Sequence, residues 1–103
     1  MTGKQYELRV AQRLANAGFQ RVQLTRSSAD YGADIVCRDG LGLMVVQCKY
    51  YRRPVGVKAI QEAIAARQFY GASRAAVATN NRFTRNAKIM AKRCGVELME
   101  GLK

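Results

Sequence analysis

Residues 33–50, reading ADIVCRDGLGLMVVQCKY, restrict the fold more than any other stretch of this chain. Two apolar-rich runs, Ala33 to Arg38 and Leu43 to Tyr50, flank a Gly-containing turn through Asp39, Gly40, Leu41 and Gly42, which is the pattern of a β-hairpin. With Arg38 opposite Leu43, antiparallel register pairs Val36 with Val45 and Asp34 with Gln47. Side-chain alternation then puts Ile35, Cys37, Met44, Val46 and Cys48 on one face, all of them apolar, so that face must be covered. The other face begins with Val36 and Val45 and ends in Asp34, Gln47 and Lys49. Lys49 lies diagonally across from Asp34, about 7–8 Å away.

The cover comes from helices. Thr2 and Gln5 form a capping-box pattern that opens a helix to about Ala17, with Tyr6, Val10, Leu14 and Ala17 at helical spacing and Gly18 after its end. Val22 and Leu24 alternate with polar neighbours as a short strand, and Thr25 to Gly32 is a polar loop. A second helix begins after Pro54, carries Val57, Ile60, Ala63, Ile64, Ala66 and Tyr70, and stops at Gly71. Ala75 to Thr79 is an apolar strand reached by this helical crossover, so it should run parallel to the strand before it. Thr84 caps a helix over Arg85 to Arg93, Gly95 ends it, and Val96 to Met99 is a last strand. The order α-β-β-β-α-β-α-β gives an α/β fold, a central mixed sheet with helices on both faces, and 103 residues suffice for one such domain spanning 1–103.

Charge narrows the partner. Eighteen Lys and Arg against seven Asp and Glu leave +11, which points to a polyanion. The chain has no histidine, which excludes His general bases, Ser-His-Asp triads and His-ligated zinc. Cys37, Cys48 and Cys94 have no CxxC spacing and read as reduced, buried thiols of a cytosolic protein. No apolar run approaches the roughly 20 residues of a membrane helix, and the N-terminus has no signal-peptide core; the expected setting is cytoplasmic, without a membrane. Chemistry is left to carboxylates, amides, lysine and a hard metal ion.

The polar end of the hairpin has two readings. A Lys beside an Asp at a strand end can be a rim ion pair of little worth. A carboxylate, an amide oxygen and a lysine on one face can also hold Mg²⁺ with substrate phosphate oxygens and stabilise charge on a phosphate. Tyr50, Tyr51, Arg52 and Arg53 follow directly, where a polynucleotide backbone would pass. Arg85, Lys88 and Lys92 make a basic helical stripe preceded by Asn80, Asn81 and Arg82. Lys4, Arg9 and Arg13 either extend the positive surface or are the solvated side of the first helix.

These residues carry a resemblance. Gly32-Ala33-Asp34-Ile35-Val36, a Gly-containing turn and Val46-Gln47-Cys48-Lys49 resemble the core of PD-(D/E)xK nucleases, in particular the Mrr-like restriction endonuclease branch. Tyr6-Glu7, Gly18-Phe19, Ser28-Ala29-Asp30-Tyr31-Gly32 and the later Thr79, Phe83-Thr84, Ala87 match that branch in order, over nearly the whole chain. The resemblance implies a three-layer α/β/α restriction-endonuclease-like fold and a metal-dependent DNA endonuclease using Mg²⁺, with Mn²⁺ as a substitute. It implies Asp34 as central metal ligand, Gln47 at the second-ligand position, the Cys48 backbone carbonyl as a further ligand, Lys49 as catalytic lysine, and Glu7 reaching the metal directly or through water. Seen alone, Glu7 is also an ordinary helix N-terminal acid.

Gln47 departs from the wider superfamily, where an acid usually stands; an amide adds no charge and should weaken metal binding. Asp30 supports the site or simply braces the Gly32 turn. Gln61 matches a glutamine of the family and supports the site, or is a solvated amide. Tyr51, Arg52, Arg53, Arg82, Arg85 and Lys88 are the expected DNA contacts. One site cuts one strand, so double-strand cleavage calls for a homodimer or a partner recognition domain. Two other readings stay open: a Holliday-junction resolvase-like nuclease, which would prefer four-way junctions, and a non-catalytic basic nucleic-acid-binding module, which would be indifferent to loss of Asp34 or Lys49.

Overall fold

The structure is a computed structural model and describes residues 1–25 and 32–103. Helix α1 (Gly3–Asn16) starts at the expected capping box: the Thr2 side chain accepts from the Gln5 N–H, and the Gln5 side chain accepts from the Thr2 N–H. Tyr6, Val10 and Leu14 form its buried stripe, while Ala17 is the exposed C-cap residue. Strands β1 (Gln20–Leu24), β2 (Ile35–Asp39) and β3 (Gly42–Lys49) follow, then α2 (Val57–Tyr70), β4 (Arg74–Thr79), α3 (Arg85–Cys94) and β5 (Val96–Met99). Gly71 and Gly95 end α2 and α3 in the left-handed conformation that lacks a Cβ penalty. Thr84 caps α3 by accepting from the Ala87 N–H.

The sheet order is β1-β2-β3-β4-β5. The first three strands are antiparallel neighbours, and β3, β4 and β5 are parallel, so the sheet is mixed as expected. The hairpin has the deduced register, Val36 opposite Val45 and Arg38 opposite Leu43, with one further pair, Asp39 and Gly42, closing a two-residue loop. Asp34 lies just before β2 instead of inside it, and its N–H still donates to the Val46 carbonyl at 2.9 Å.

Helix α1 covers one face, where Tyr6, Val10 and Leu14 pack on Ile35, Cys37, Met44, Val46, Ala76 and Ala78. Helices α2 and α3 cover the other, over Val45, Ala75, Val77 and Val96. Alternate residues of β4 therefore point into two separate cores, which is why this strand is built almost wholly of small apolar residues. Of the cysteines, Cys37 is buried and Cys48 half-buried, but Cys94 is exposed, against the expectation of three buried thiols; it is the last residue of α3, beyond the buried Ala87 and Ala91. No described helix is long and apolar enough to cross a membrane.

Away from the polar end of the hairpin, Arg74 bridges the sheet. Its guanidinium grips both carboxylate oxygens of Glu97 at 2.8 Å and pairs with Asp39. Arg74→Met is expected to cost about 1 kcal/mol, the scale of a bidentate but partly solvated pair. A thermal melt should show a fall of roughly 5 °C for a domain of this size.

Candidate active site

The cleft opens where β3 ends. It is lined by Gly3 and Glu7 from α1, Asp34 at the entry to β2, Gln47, Cys48, Lys49, Tyr50 and Tyr51 at the end of β3, and Glu62 from α2. The hairpin register thus brings Asp34, Gln47 and Lys49 together, and the two helical layers each add an acid.

Asp34 is 2% exposed. Its Oδ2 accepts the Cys48 N–H at 2.7 Å, while its Oδ1 is buried with no hydrogen-bond partner among the described residues. Burial pushes its carboxyl up from the ordinary 3.8 to about 6; the Cys48 N–H opposes this, the nearby Glu7 carboxylate adds to it, and Lys49 opposes it. Glu7 is half-buried and reaches Lys4 Nζ only at 3.7 Å. Two adjacent carboxylates, one of them with an orphaned buried oxygen, form a place made for positive charge.

Those donors suit a hard cation. Mg²⁺ takes one or two carboxylates and fills its other positions with carbonyl, water and phosphate oxygens. Asp34, Glu7 and the Cys48 backbone, all lining this cleft, would supply oxygens of that kind. Among the described residues no group of three or more His, Cys, Asp or Glu side chains is gathered that could hold a metal ion, so the side-chain share of such a site would be the two carboxylates. Burial, with Asp34 and Glu7 nearby, pushes the Cys48 thiol well up.

Lys49 is held from several sides. Its Nζ lies 3.0 Å from Glu62 Oε1 and 5.8 Å from the centre of the Tyr51 ring. Burial pulls its pKa down, but Glu62 and Tyr51 outweigh burial and the net shift is upward. The Gln47 side chain is buried beside it, and only one orientation of its amide gives both ends a partner. Nε2 then donates to the Gly32 carbonyl and Oε1 accepts from Lys49 Nζ at 3.0 Å.

Glu62 was not foreseen in the sequence, where Gln61 was singled out. Gln61 is exposed and does not line the cleft. The buried stripe of α2 is Ala59, Ile60, Ala63 and Ala66, because alanines let the helix lie close to the sheet. Ile60, Ala63 and Ala66 are the buried positions read from the sequence, whereas Val57, Ile64 and Tyr70 are half-buried. Glu62, at i+3 from Ala59 and i−4 from Ala66, was the available signal. Asp30 and the Ser28 to Tyr31 part of the family pattern lie outside the described residues.

The cationic residues surround this end. Because β3 and β4 are parallel, the loops after them leave the sheet on the same side, carrying Arg52 and Arg53 from one and Arg82 from the other. Arg53 stacks on Tyr51 at 4.8 Å, and Arg52, Arg82, Arg85 and Lys88 are exposed, Lys88 lying 3.6 Å from Glu100. The Asn80 side chain clamps the neighbouring loop. Its Oδ1 accepts the Tyr51 N–H at 2.8 Å and its Nδ2 donates to the Tyr51 carbonyl at 2.9 Å.

The fold has known counterparts. AF1548, a protein of unknown function, superimposes with a TM-score of 0.73 at 24% identity over 91% of this chain and 55% of its own. The MspJI restriction endonuclease in complex with a 27-mer oligonucleotide gives 0.64 at 18% identity, over 96% of this chain and 26% of its own. The DNA modification-dependent restriction endonuclease AspBHI gives 0.61 at 18% identity, over 96% and 33%. This chain therefore spans from about a quarter to just over half the length of these proteins, which share its restriction-endonuclease-like fold. No curated protein matches. The restriction endonuclease family model Mrr_cat matches residues 1–103, and the chain belongs to that family.

Proposed function

We propose that this chain is the catalytic domain of a divalent-metal-dependent DNA endonuclease of the Mrr-like type, hydrolysing phosphodiester bonds with Mg²⁺ or, as a substitute, Mn²⁺. The observation that carries this reading is the orphaned, buried Oδ1 of Asp34, with the Glu7 carboxylate nearby, in a cleft lined by three acids and one lysine on a chain of net charge +11. A module that only binds nucleic acid gains nothing from burying an acid there.

When bound, the cation polarises the scissile phosphate and lowers the pKa of an attacking water. The chain does the rest. Asp34 and Glu7 would hold the cation, with the Cys48 carbonyl completing the protein's share. Lys49, kept protonated by Glu62 and Tyr51, places a positive charge where negative charge grows on the phosphate. Tyr51, Arg52, Arg53, Arg82, Arg85 and Lys88 would hold the flanking backbone. One cleft cuts one strand, so double-strand cleavage calls for a second copy of the chain or a recognition domain.

Nicking of supercoiled plasmid tests this. Cleavage is expected with Mg²⁺ or Mn²⁺, absent in EDTA, and lowered about 100-fold or more in Lys49→Ala, the scale of a lost charge-stabilising group. Tight DNA binding with no cleavage under any metal would leave a binding module instead. Binding itself should weaken steeply with salt: about six neutralised phosphates give a slope of log K on log salt near −5.

A further inference from the structure

We infer that Gln47, standing at the family's second-ligand position, is a positioning residue for Lys49 and not a ligand of the metal, and that Glu62 shares that task from the opposite helix. The inference deepens the nuclease reading and rests on it.

Gln47 is 5% exposed, so both ends of its amide need partners. The reverse orientation would set a carbonyl oxygen on the Gly32 carbonyl and an NH₂ group on the Lys49 ammonium. In the orientation that gives both ends a partner, its hydrogens face the backbone that leads into Asp34 and its oxygen faces Lys49. A cation on that same oxygen would share one neutral acceptor with an ammonium, bringing two positive charges together. Asp34 Oδ1, by contrast, has no hydrogen-bond partner among the described residues and carries charge; Glu62 Oε1 also makes no hydrogen bond but lies 3.0 Å from the Lys49 ammonium as an ion pair. The metal's place is on the carboxylate side of the cleft, and Gln47 belongs to the lysine side.

Glu62 completes the hold. Gln47 lies in β3 and Glu62 in α2, each 3.0 Å from Lys49 Nζ, so a strand and the helix packed against it grip one ammonium. A lysine on a flexible four-carbon stem is otherwise poorly fixed. This also accounts for glutamine in place of the usual acid. A carboxylate at 47 would aim an oxygen, without a hydrogen, at the Gly32 carbonyl.

The test compares Mn²⁺ affinity, measured without DNA by electron paramagnetic resonance, with single-turnover cleavage. Gln47→Met keeps the volume but removes the donor and the hard oxygen. It is expected to bind Mn²⁺ within about twofold of the native chain, to bind DNA equally well, and to cleave about 100-fold more slowly. In a Lys49→Ala background the same change should cost less than about twofold, because its effect runs through a lysine already gone. Glu62→Ala should lower the cleavage rate about tenfold, with Glu62→Gln, which retains an acceptor, recovering most of it.

A tenfold or greater loss of Mn²⁺ affinity in Gln47→Met, or costs that multiply with those of Lys49→Ala, would make Gln47 a ligand and overturn the inference while leaving the nuclease reading intact. Should Gln47→Met fail to fold, the Glu62 pair decides: equal rates for Glu62→Ala and Glu62→Gln overturn the shared grip. A native chain that neither binds Mn²⁺ nor cuts would remove the nuclease reading and this inference together.

Discussion

Asp34→Asn is expected to lower cleavage about 1,000-fold or more and, at the same time, to make the metal-free protein more stable at neutral pH. Loss of activity follows from removing the charged centre of the proposed cation site. The gain in stability follows from the carboxyl's environment. In the unfolded chain this acid ionises near 3.8, and in the fold near 6. A folded pKa above the unfolded one means that ionisation opposes folding: the penalty is absent below about pH 4, grows through the interval, and is complete above about pH 6. The gap between those two values puts the penalty on the order of 3 kcal/mol.

Asparagine keeps an oxygen for the Cys48 N–H and carries no charge. The native and variant proteins should therefore melt at similar temperatures near pH 4 and about 10 °C or more apart near pH 7. Mg²⁺ should raise the native melting temperature and leave the variant's unmoved. Equal melting temperatures at pH 7 would show that Asp34 is not held in the strained ionised state deduced here.

Gly32→Ala is expected to cost about 3 kcal/mol and to lower cleavage about 100-fold. Gly32 has φ +75°, where side chains are strained, and a Cβ there would lie 2.6 Å from the Glu62 carbonyl oxygen. That oxygen is helix backbone and cannot swing aside. The chain would have to lift from α2 just before Asp34, taking with it the carbonyl that receives the Gln47 amide. A shift of about 1 Å in a catalytic group costs on the order of 100-fold. Gly40, with open space where its Cβ would be, provides the control: Gly40→Ala should change the denaturation midpoint little. If the two alanine variants unfold alike in urea, the close approach at Gly32 carries no stability.

The hairpin made most of the fold readable in advance. Its two-residue alternation gave the register, the covered face and the convergence of Asp34, Gln47 and Lys49 from local pattern alone. Helix ends were legible because Thr2, Thr84, Gly71 and Gly95 act within a few residues of themselves. What escaped depends on packing between distant elements. On α2, Ile60, Ala63 and Ala66 were legible as buried positions, but the approach of Glu62 to Lys49 is a contact between separate elements that helical spacing does not contain. Asn80 pairs with a backbone 29 residues away, a link no local pattern contains. The hydrogen bonding of Gln47 depends on where the Gly32 carbonyl ends up in three dimensions. The family pattern supplied the residue there but not its neighbours.

The tie between the two loops beside the cleft has a consequence for how a polyanion would be received. Besides the Asn80 clamp, the Val55 N–H donates to the Arg82 carbonyl at 2.8 Å and the Thr84 N–H to the Val55 carbonyl at 2.9 Å. Arg52, Arg53, Arg82 and Arg85 thus spring from one knitted piece of backbone, and their spacing is set when the chain folds. Little loop entropy is left to lose on association, so the platform is preorganised for a backbone of fixed phosphate spacing. On the proposed function, such a platform would respond to the contour of a nucleic-acid backbone before any base is read.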